Sequence, residues 1–443
     1  MKRLLLCALG LLLPASLMLS TAARAQGLDI GLVSGNEAAL PIAVVPMPYQ
    51  GRNAAPDTDV AKVIRDDLNR SGQFKALAVA NMPPPLPTRG AEIDFAAWRL
   101  RKQDFIVVGR LVDGPDGGYQ VEYDLYDIAK RQRLLGLPVA ARSKALRDAS
   151  HQIADEIYEK ILGVRGPFWT RIAYVKADGL GQGTRYKLVV ADSDGYNEQV
   201  VVRSPEPLLS PAWSPDGRKL AYVSFERGNS TIYVQDLTTG GREVVASFKG
   251  INGAPAFSPD GRRLALTLSK GGNPDIYVMD LATKSLNQVT RHYGIDTEAT
   301  WMPDGKTLVF TSDRAGKPQV YTVPASGGDP TRISFQGESN ARPTVSYDGK
   351  KIAMAQGSGN IYRIAIQDRS YGGGARWLTV SPGNLDESPS FAPNAGLLLY
   401  ATKEGRRGVL YAVSADGRVR QRDSSAENGD VREPAWGPYR DRR

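Results

Sequence analysis

Along most of the chain, short apolar runs alternate with turn signals at a nearly fixed interval. The phrase Pro-Ala-Trp-Ser-Pro-Asp-Gly occupies residues 211–217, and close copies follow at 255–261, 299–305 and 343–349. The successive steps along the repeat are 44, 44, 44, 46 and 45 residues. A period of this length, built from short strands, predicts a β-propeller. The apolar residues on which the copies align are Trp213, Phe257, Trp301, Val345, Phe391 and Trp436.

Each repeat contains the same series of predicted strands. A Pro-Asp-Gly turn follows the first strand, since Pro fixes φ, Asp caps its own backbone and Gly takes the left-handed position. A β-rich run comes next, as at 220–223 and 264–267. An aromatic-centred third strand follows, such as 232–234, and then a short fourth strand, such as 243–245. Each repeat therefore predicts one four-stranded blade.

The two ends of the repeat predict how the propeller closes. Residues 171–175 copy the second-strand run without a preceding Pro-Asp-Gly turn, whereas 434–439 form a first-strand phrase with no blade after it. The two fragments complement each other. We therefore expect six blades within 166–443, with the C-terminal strand completing the blade that begins near residue 170. Such closure leaves no open sheet edge.

Before the repeat, over residues 26–165, the pattern changes to that of a small domain. A buried strand is predicted at 42–45, and a hairpin at 105–112 and 119–126 around a Gly-rich turn. Residues 163–167 then lead into the propeller with little slack, so we expect the two domains to pack together. The predicted fold class is an α/β N-terminal domain followed by an all-β six-bladed β-propeller.

Two helices are predicted in this small domain from apolar residues at helical spacing. The first begins near the cap candidates Asp57 and Thr58 and stops at Ser71 and Gly72, and the second ends at Gly163. Their apolar positions are Val60, Val63, Ile64 and Leu68 in the first helix and Ile153, Ile157 and Ile161 in the second.

Residues 1–25 have the pattern of a secretory signal peptide. Lys2 and Arg3 precede an apolar stretch over 4–19, and Ala23-Arg24-Ala25 provides a cleavage site before Gln26. The apolar stretch is too short for a membrane-spanning helix. The single cysteine lies within it, so the mature chain would contain no disulfide. We therefore expect a periplasmic protein, cleaved after Ala25, with no transmembrane segment in the mature chain.

Composition and charge argue against nucleic acid as a partner. Of 443 residues, 42% are hydrophobic and 23% are charged, which is typical of globular domains. The formal net charge is +9, and loss of the three cations of the signal, Lys2, Arg3 and Arg24, leaves about +6. This mild and scattered excess indicates a solubilising surface, and not a patch for nucleic acid or lipid.

The sequence offers few groups for catalysis or metal binding. The two histidines are His151, in the predicted second helix, and His292, in a loop, and neither is expected at the mouth of the channel. The chain has no Gly-x-Ser-x-Gly motif and no His-rich metal spacing. Residues 192–198 resemble a calcium loop but lack its twelve-residue pattern, so we interpret them as a turn within a blade. No catalytic residue, metal site or cofactor is predicted.

The segments just before each first strand connect neighbouring blades and are expected to line one mouth of the central channel. Small, polar and acidic residues are frequent in them. Two interpretations remain open: these residues make solvated turns, or they form a polar rim on which a protein partner docks. The six segments are 208–210, 251–254, 296–298, 339–342, 386–388 and 431–433.

The ordered set of motifs resembles the TolB family, periplasmic proteins of the Tol-Pal envelope system, over essentially the whole mature chain. The resemblance implies a non-enzymatic adaptor that supports outer-membrane invagination during cell division and outer-membrane integrity. The alternative is a propeller enzyme, similar to a peptidase or a sugar lyase, acting in the channel. The motifs that carry the resemblance, besides the signal peptide and small domain, are 171–175, 194–197, 210–217, 252–261, 276–281 and 434–436.

The resemblance also implies where the lipoprotein Pal would bind, namely at the channel mouth. The family pattern has a histidine before Asn-Gly-Ala, where this chain has Ile251, so a hydrogen-bonding contact there would be lost or replaced. The implied Pal-facing residues are Ile251, Asn252, Gly253, Ala254, Thr297 and Glu298.

A second partner implied by the resemblance is TolA, anchored in the inner membrane, which would bind residues 26–34. This segment could pair as an added strand, or it could be a frayed N-terminus. In the family its state is coupled to Pal binding, which requires two states that each partner biases differently. Other envelope proteins could also bind. The implied TolA-facing residues are Leu28, Asp29, Ile30, Leu32 and Val33.

Overall fold

A computed structural model describes residues 39–179, 181, 183–370, 374–425 and 430–441. Within them the chain forms one mixed six-stranded sheet near the N-terminus, followed by six four-stranded antiparallel sheets. The predicted fold class, an α/β N-terminal domain and a six-bladed β-propeller, is confirmed. Among the helices in this part of the chain, none has the length and apolarity needed to span a membrane.

The sheet of the N-terminal domain has the order β2-β1-β3-β4-β5, with β6 also paired to β4. The first strand is parallel to both of its neighbours, and the predicted hairpin forms the antiparallel pair β3–β4. The strands are β1 (Leu40–Val44), β2 (Phe74–Ala76), β3 (Phe105–Asp113), β4 (Tyr119–Asp127), β5 (Gln132–Leu135) and β6 (Val139–Ala141).

Three helices bury the apolar faces of this sheet. The helices α1 (Val60–Arg70) and α3 (Leu146–Leu162) pack on one face, and the short α2 (Phe95–Leu100) packs on the other. Helix α3 ends as predicted, at Gly163 with φ +77°. Short 3₁₀ turns lie at Val79–Asn81, Gly90–Glu92, Pro115–Gly117 and Ser143–Ala145.

The predicted start of α1 is slightly wrong. The side chain that caps the helix is Asp59, which accepts a hydrogen bond from the Lys62 N–H at 2.9 Å, and not Asp57 or Thr58. All three side chains can cap a helix, so local chemistry does not choose among them. The position of Val60, buried against the sheet, selects Asp59.

The six sheets of the propeller are blades 1 to 6, numbered from the repeat at residue 208. In chain order, blade 6 contributes β7 (Arg171–Asp178), β8 (Arg185–Asp192) and β9 (Gln199–Ser204). Blade 1 is β10 (Leu208–Trp213), β11 (Lys219–Ser224), β12 (Thr231–Asp236) and β13 (Arg242–Ala246). Blade 2 is β14 (Asn252–Phe257), β15 (Arg263–Leu268), β16 (Asp275–Asp280) and β17 (Leu286–Gln288). Blade 3 is β18 (Asp296–Trp301), β19 (Thr307–Ser312), β20 (Gln319–Pro324) and β21 (Thr331–Arg332). Blade 4 is β22 (Ser339–Val345), β23 (Lys351–Ser358), β24 (Ile361–Asp368) and β25 (Arg376–Thr379). Blade 5 is β26 (Glu387–Phe391), β27 (Leu397–Glu404), β28 (Arg407–Ser414) and β29 (Arg420–Ser425), and β30 (Asp430–Trp436) is the first strand of blade 6.

The C-terminal strand closes the propeller as predicted. Strand β30 pairs antiparallel with β7, with Trp436 opposite Ile172. The Trp436 indole also donates a hydrogen bond to the Thr170 hydroxyl at 2.8 Å. Since β30 and β7 come from opposite ends of the repeat, this pairing gives blade 6 its four strands.

The N-terminal domain packs on blades 5 and 6, at the turns between their third and fourth strands. Gly72, with φ +70°, lies so close to Val419 that a Cβ there would stand 2.8 Å from its Cγ2. Arg70 donates to the Ser193 carbonyl at 2.7 Å and to its hydroxyl at 2.6 Å. These contacts confirm that the two domains pack together.

Candidate partner-binding site at the channel mouth

The first strand of every blade has a bulge at the same position. There one non-glycine residue has φ between +44° and +57°, in a left-handed region that L-residues seldom occupy. At each bulge the register with the second strand shifts. These residues lie at the end of the channel where the blades connect, and we call them the mouth ring. They are Ser210, Ala254, Glu298, Arg342, Ser388 and Glu433.

The bulges correct one expectation about the mouth. Nearly all residues of the six predicted mouth segments belong to the first strands themselves, and do not precede them. The bulge breaks the alternation of buried and exposed residues, so the first half of each strand lacks a recognisable β pattern. The mouth is therefore lined by paired strands, which hold its side chains more firmly than loops would.

A hydrogen-bonded chain of side chains crosses the mouth ring around Arg342. Its Nε donates to Glu298 Oε1 at 3.0 Å, and both Nη atoms lie 3.1 Å from Glu433 Oε1. Arg342 also donates to the Ser388 hydroxyl. Glu433 Oε2 in turn accepts the backbone N–H of Ser210 at 3.2 Å. Five of the six blades are thus joined through polar contacts at the mouth.

Electrostatics at the ring favour positive charge. Burial lowers the pKa of the Arg342 guanidinium, but neighbouring carboxylates outweigh burial and raise that pKa above its ordinary value. These carboxylates belong to Glu433, Glu298 and Glu387. The channel holds a cavity of about 500 Å³ that the mouth ring and the rest of the six first strands line, with prolines and aromatic residues among its lining.

The implied Pal-facing residues of blade 2 lie in different environments. Ile251 is half exposed, Gly253 and Ala254 are partly exposed, and Ala254 lines the channel. Asn252 is fully buried, and its amide bonds to the backbone N–H and carbonyl of Phe248 at 2.8 and 2.7 Å. The buried Asn252 side chain therefore holds the connection between blades 1 and 2 in place, while Ile251, Gly253 and Ala254 are accessible at the surface.

The two implied residues of blade 3 are both engaged within the propeller. The Thr297 hydroxyl lies 3.2 Å from that of Thr267 in blade 2. Besides the Arg342 Nε, the Glu298 carboxylate accepts hydrogen bonds from the Thr311 hydroxyl and the Arg342 backbone N–H, each at 3.0 Å. Glu298 is thus held in one orientation across the ring.

An exposed apolar surface at the mouth was missed by the sequence reasoning. Large apolar side chains stand in the connections that lead into blades 2 to 5, with Tyr293 85% exposed and Phe335 71% exposed. The signal was present in the sequence as apolar residues within turn segments. We call this set the apolar crescent; it comprises Ile251, Tyr293, Ile295, Phe335 and Leu385.

His292 lies beside the crescent, contrary to the expectation that neither histidine would be at the mouth. Its Nδ1 accepts the Gly294 N–H at 3.0 Å, and its carbonyl accepts from the Asn273 amide at 2.7 Å. It is a loop residue, as predicted. The error arose because the predicted mouth segment, 296–298, lies within the first strand of blade 3, whereas the connection between blades 2 and 3 precedes it and contains His292.

His151 is buried at the joint between the two domains. Its Nδ1 lies 2.6 Å from Asp67 of α1, and its Nε2 lies 3.7 Å from Asp194 of the propeller. Arg70 pairs with Asp67 at 3.0 Å, and Arg147 pairs with Asp194. We call these five residues the interdomain cluster. They confirm a structural role for His151 within α3.

Ligand atoms of Asp67, His151 and Asp194 lie within 4.8 Å of one another, a separation that a metal ion could span. Two guanidiniums, however, already neutralise the two carboxylates, and a divalent cation beside them would be repelled. The cluster is therefore built as a network of ion pairs.

The calcium-like segment 192–198 is part of the same joint. Asp192 ends strand β8, and the following residues turn into β9 as predicted. Asp194 points to Arg147, and the Arg147 guanidinium stacks 3.6 Å from the centre of the Tyr196 ring. These groups join the domains. The segment implied to bind TolA, 26–34, lies outside the described residues.

The fold and the mouth together define a propeller protein with an accessory α/β domain and a polar channel mouth with exposed apolar side chains beside it. A family model described as the TolB beta propeller domain matches residues 158–440, and one described as the TolB amino-terminal domain matches 28–134. The chain therefore belongs to the TolB family, a non-enzymatic component of the Tol-Pal system.

Relatives and a solved structure agree over nearly the whole chain. It is 70% identical over 430 residues to the Tol-Pal system protein TolB of Xanthomonas oryzae pv. oryzae, covering 97% of this chain and 96% of the relative. It is 69% identical to that of Xanthomonas campestris pv. campestris, covering 97% of both chains. The crystal structure of TolB from Acinetobacter baumannii superposes with a TM-score of 0.84 at 43% identity, covering 93% of this chain and 99% of the other.

Proposed function

We propose that this protein is a periplasmic adaptor that binds Pal at the mouth ring and the apolar crescent. The observation that carries the proposal is the set of large, exposed apolar side chains around a polar ring. Exposed apolar patches with polar surroundings are typical of protein-binding surfaces. Through this contact the protein would support outer-membrane invagination during cell division and outer-membrane integrity.

The residues named from the family resemblance divide into two roles in this proposal. Ile251, Gly253, Ala254 and Thr297 would contact Pal directly, because the first three are exposed or partly exposed and Thr297 adjoins them. Asn252 would act from beneath by fixing the connection between blades 1 and 2. Glu298 would contribute to Pal binding as a member of the mouth ring, where Arg342 holds its carboxylate in one orientation.

Substitution of Ala254 tests the Pal site. Ala254→Asp places a bulky charge in the ring, and we expect the Pal affinity measured by calorimetry to fall at least tenfold. Ala282→Asp is the matched control, since Ala282 is an exposed alanine of the same blade in the turn between β16 and β17, at the end of the blade away from the mouth. Equal Pal affinity for Ala254→Asp and the native protein, with both folded, would overturn this assignment.

We further propose that residues 26–34 bind TolA, with Leu28, Asp29, Ile30, Leu32 and Val33 forming an added strand. The first described strand begins at Leu40, whose N–H bonds to the Gln73 carbonyl at 2.9 Å beside the domain joint. The segment would therefore join the folded domain near the contact between the two domains. Signal cleavage after Ala25 would make residue 26 the N-terminus and leave the segment free to pair. The two mature domains would be 26–165 and 166–443.

Deletion of residues 26–34 tests this second site. TolA capture should be lost, while circular dichroism and Pal binding remain those of the native protein. The control replaces the nine residues by a Gly-Ser linker of equal length, which should fail in the same way if side chains carry the contact. TolA capture by either variant at native strength would rule out the segment.

A further inference from the structure

The mouth ring has one position without a polar side chain. Glu298, Arg342, Ser388 and Glu433 are linked by side-chain contacts, and the Ser210 backbone joins them through Glu433. Ala254 stands between blades 1 and 3 with a methyl group that cannot take part. The hydrogen-bonded chain is therefore open at blade 2.

Polar atoms with spare capacity flank this opening. Among the described residues, no hydrogen bond involves the Ser210 hydroxyl, which lies on one side in blade 1. On the other side, Glu298 Oε1 accepts a single hydrogen bond, from the Arg342 Nε. A carboxylate oxygen can accept two, so both sides of the opening can accept a donated hydrogen bond.

The charges of the ring do not balance. Arg342 faces the carboxylates of both Glu298 and Glu433, which leaves one negative charge uncompensated. The raised pKa of Arg342 agrees with a negative potential here despite burial. The three charged side chains remain partly open to the channel, with 26% of Glu298, 33% of Arg342 and 11% of Glu433 exposed. A cation that enters the ring from the channel would therefore meet one uncompensated carboxylate charge, in a site only partly open to solvent.

We propose that the opening at Ala254 is a socket for one cationic, hydrogen-bond-donating side chain, a lysine or arginine, of the protein that docks on the mouth. The small Ala254 side chain leaves the space, and Glu298 and Ser210 supply the acceptors. Arg342 positions Glu298 by donating from its Nε to Oε1 and from its backbone N–H to Oε2. This inference rests on the proposed function, because it presumes a protein partner at the mouth.

The socket can be tested without a partner by tethering a cation inside it. Ala254→Lys and Ala254→Met bear the same cost of a long side chain at φ +44°, and differ in the terminal ammonium group. At low salt we expect the lysine variant to melt roughly 2–4 °C above the methionine variant. The difference should shrink in 0.5 M NaCl, and should vanish when both are combined with Glu298→Gln. A lysine variant that melts at or below the methionine variant would overturn the socket.

A second experiment connects the socket to the partner. Glu298→Gln should weaken the affinity for purified Pal about tenfold, whereas Glu404→Gln, a carboxylate of the hairpin between β27 and β28 paired with Arg422, should leave it unchanged. If native protein fails to bind Pal, the proposed function is wrong while the lysine–methionine comparison still decides the socket. If Pal binds and both glutamine variants bind it equally, Pal does not place a cation in the socket, and the inference fails.

Discussion

The molecule has two groups of carboxylates arranged around cations, the mouth ring and the interdomain cluster, and they differ in burial. In the interdomain cluster the side chains of His151 and Asp67 are each about 1% exposed. The ring side chains face a channel and keep part of their surface in solvent. The cluster also bridges two domains, whereas the ring bridges blades of one propeller.

This difference in burial separates a joint between domains from the proposed docking site. A buried charge must be compensated by the protein itself, because water cannot replace a missing partner. A partly exposed group can remain incompletely paired at small cost and offer the spare capacity to another molecule. The following predictions use this contrast, from the largest expected effect to the smallest.

Removing the imidazole of the interdomain cluster should have the largest effect on stability. His151→Ala removes a buried ring that bonds Asp67 and faces Asp194, leaving a cavity and an unpaired Asp67 oxygen, and we expect a loss of about 3–5 kcal/mol in the free energy of unfolding. Chemical denaturation measures it. His292→Ala, at the partly exposed second histidine, should cost less than about 1 kcal/mol. Similar losses for the two variants would contradict a stabilising role of the interdomain cluster between the two domains.

The same histidine should make stability fall as the pH rises above neutral. Burial lowers the pKa of His151, but Asp67 and Asp194 outweigh burial and raise it from 6.5 to about 9. The contribution of the protonated His151 to the free energy of unfolding is complete below pH 6.5. It is lost as the pH rises through 9, which lowers that free energy by about 3 kcal/mol. Burial raises the pKa of Asp155 to about 8, which acts in the same direction between pH 4 and 8.

Denaturation midpoints between pH 6.5 and 9 measure this dependence. The native protein should lose stability across that interval, whereas His151→Ala should keep only the loss due to Asp155 and become flat above about pH 8. A native profile that rises with pH, or an unchanged slope in the variant, would contradict a charged His151 in the folded protein.

Removal of the central cation of the mouth ring should have a smaller and salt-sensitive effect. Arg342→Met leaves Glu298 and Glu433 without their shared partner, at an expected cost of about 2 kcal/mol. Because the ring is open to solvent, 0.5 M NaCl should reduce this cost by screening the two carboxylates. The cost of His151→Ala should be insensitive to salt. Chemical denaturation of both variants at two salt concentrations measures these costs. Equal salt sensitivity would contradict the difference in burial between the mouth ring and the interdomain cluster.

An exposed ion pair between the domains should matter least. Arg440 bonds to both Asp148 oxygens at 2.7 and 3.1 Å, yet a third of each side chain remains exposed. Arg440→Gln should therefore lower the free energy of unfolding by about 0.5 kcal/mol. A loss as large as that of His151→Ala would mean that position at the joint, and not burial, determines the energy.

Much of the fold followed from local patterns. The repeat predicted six blades because each carries its own turn chemistry and strand sequence, and the incomplete copies at Ile172 and Trp436 predicted the closing pair. The short helix α2 was not predicted, because six residues are too few to show a helical period. The cap of α1 was misplaced because Asp57, Thr58 and Asp59 have equivalent capping chemistry.

The candidate site was predicted less completely than the fold. Family resemblance named Ala254 and Thr297, but it did not distinguish the buried Asn252 from its exposed neighbours. The role of Arg342 was missed because its partners, Glu298 and Glu433, lie 44 and 91 residues away in the sequence. The repeat places these residues at equivalent positions of different blades, but it does not show which of their side chains pair.

The sequence by itself determined the number of blades, their closure, the two longer helices of the small domain and the family, because these depend on turns, periodicity and ordered motifs. The tertiary structure alone decided which polar residues meet. It brought six bulges into one ring, left Ala254 as its open position, and enclosed His151 between two domains. Charge pairing and burial depend on distances across the fold, and those distances exist only once the blades have closed.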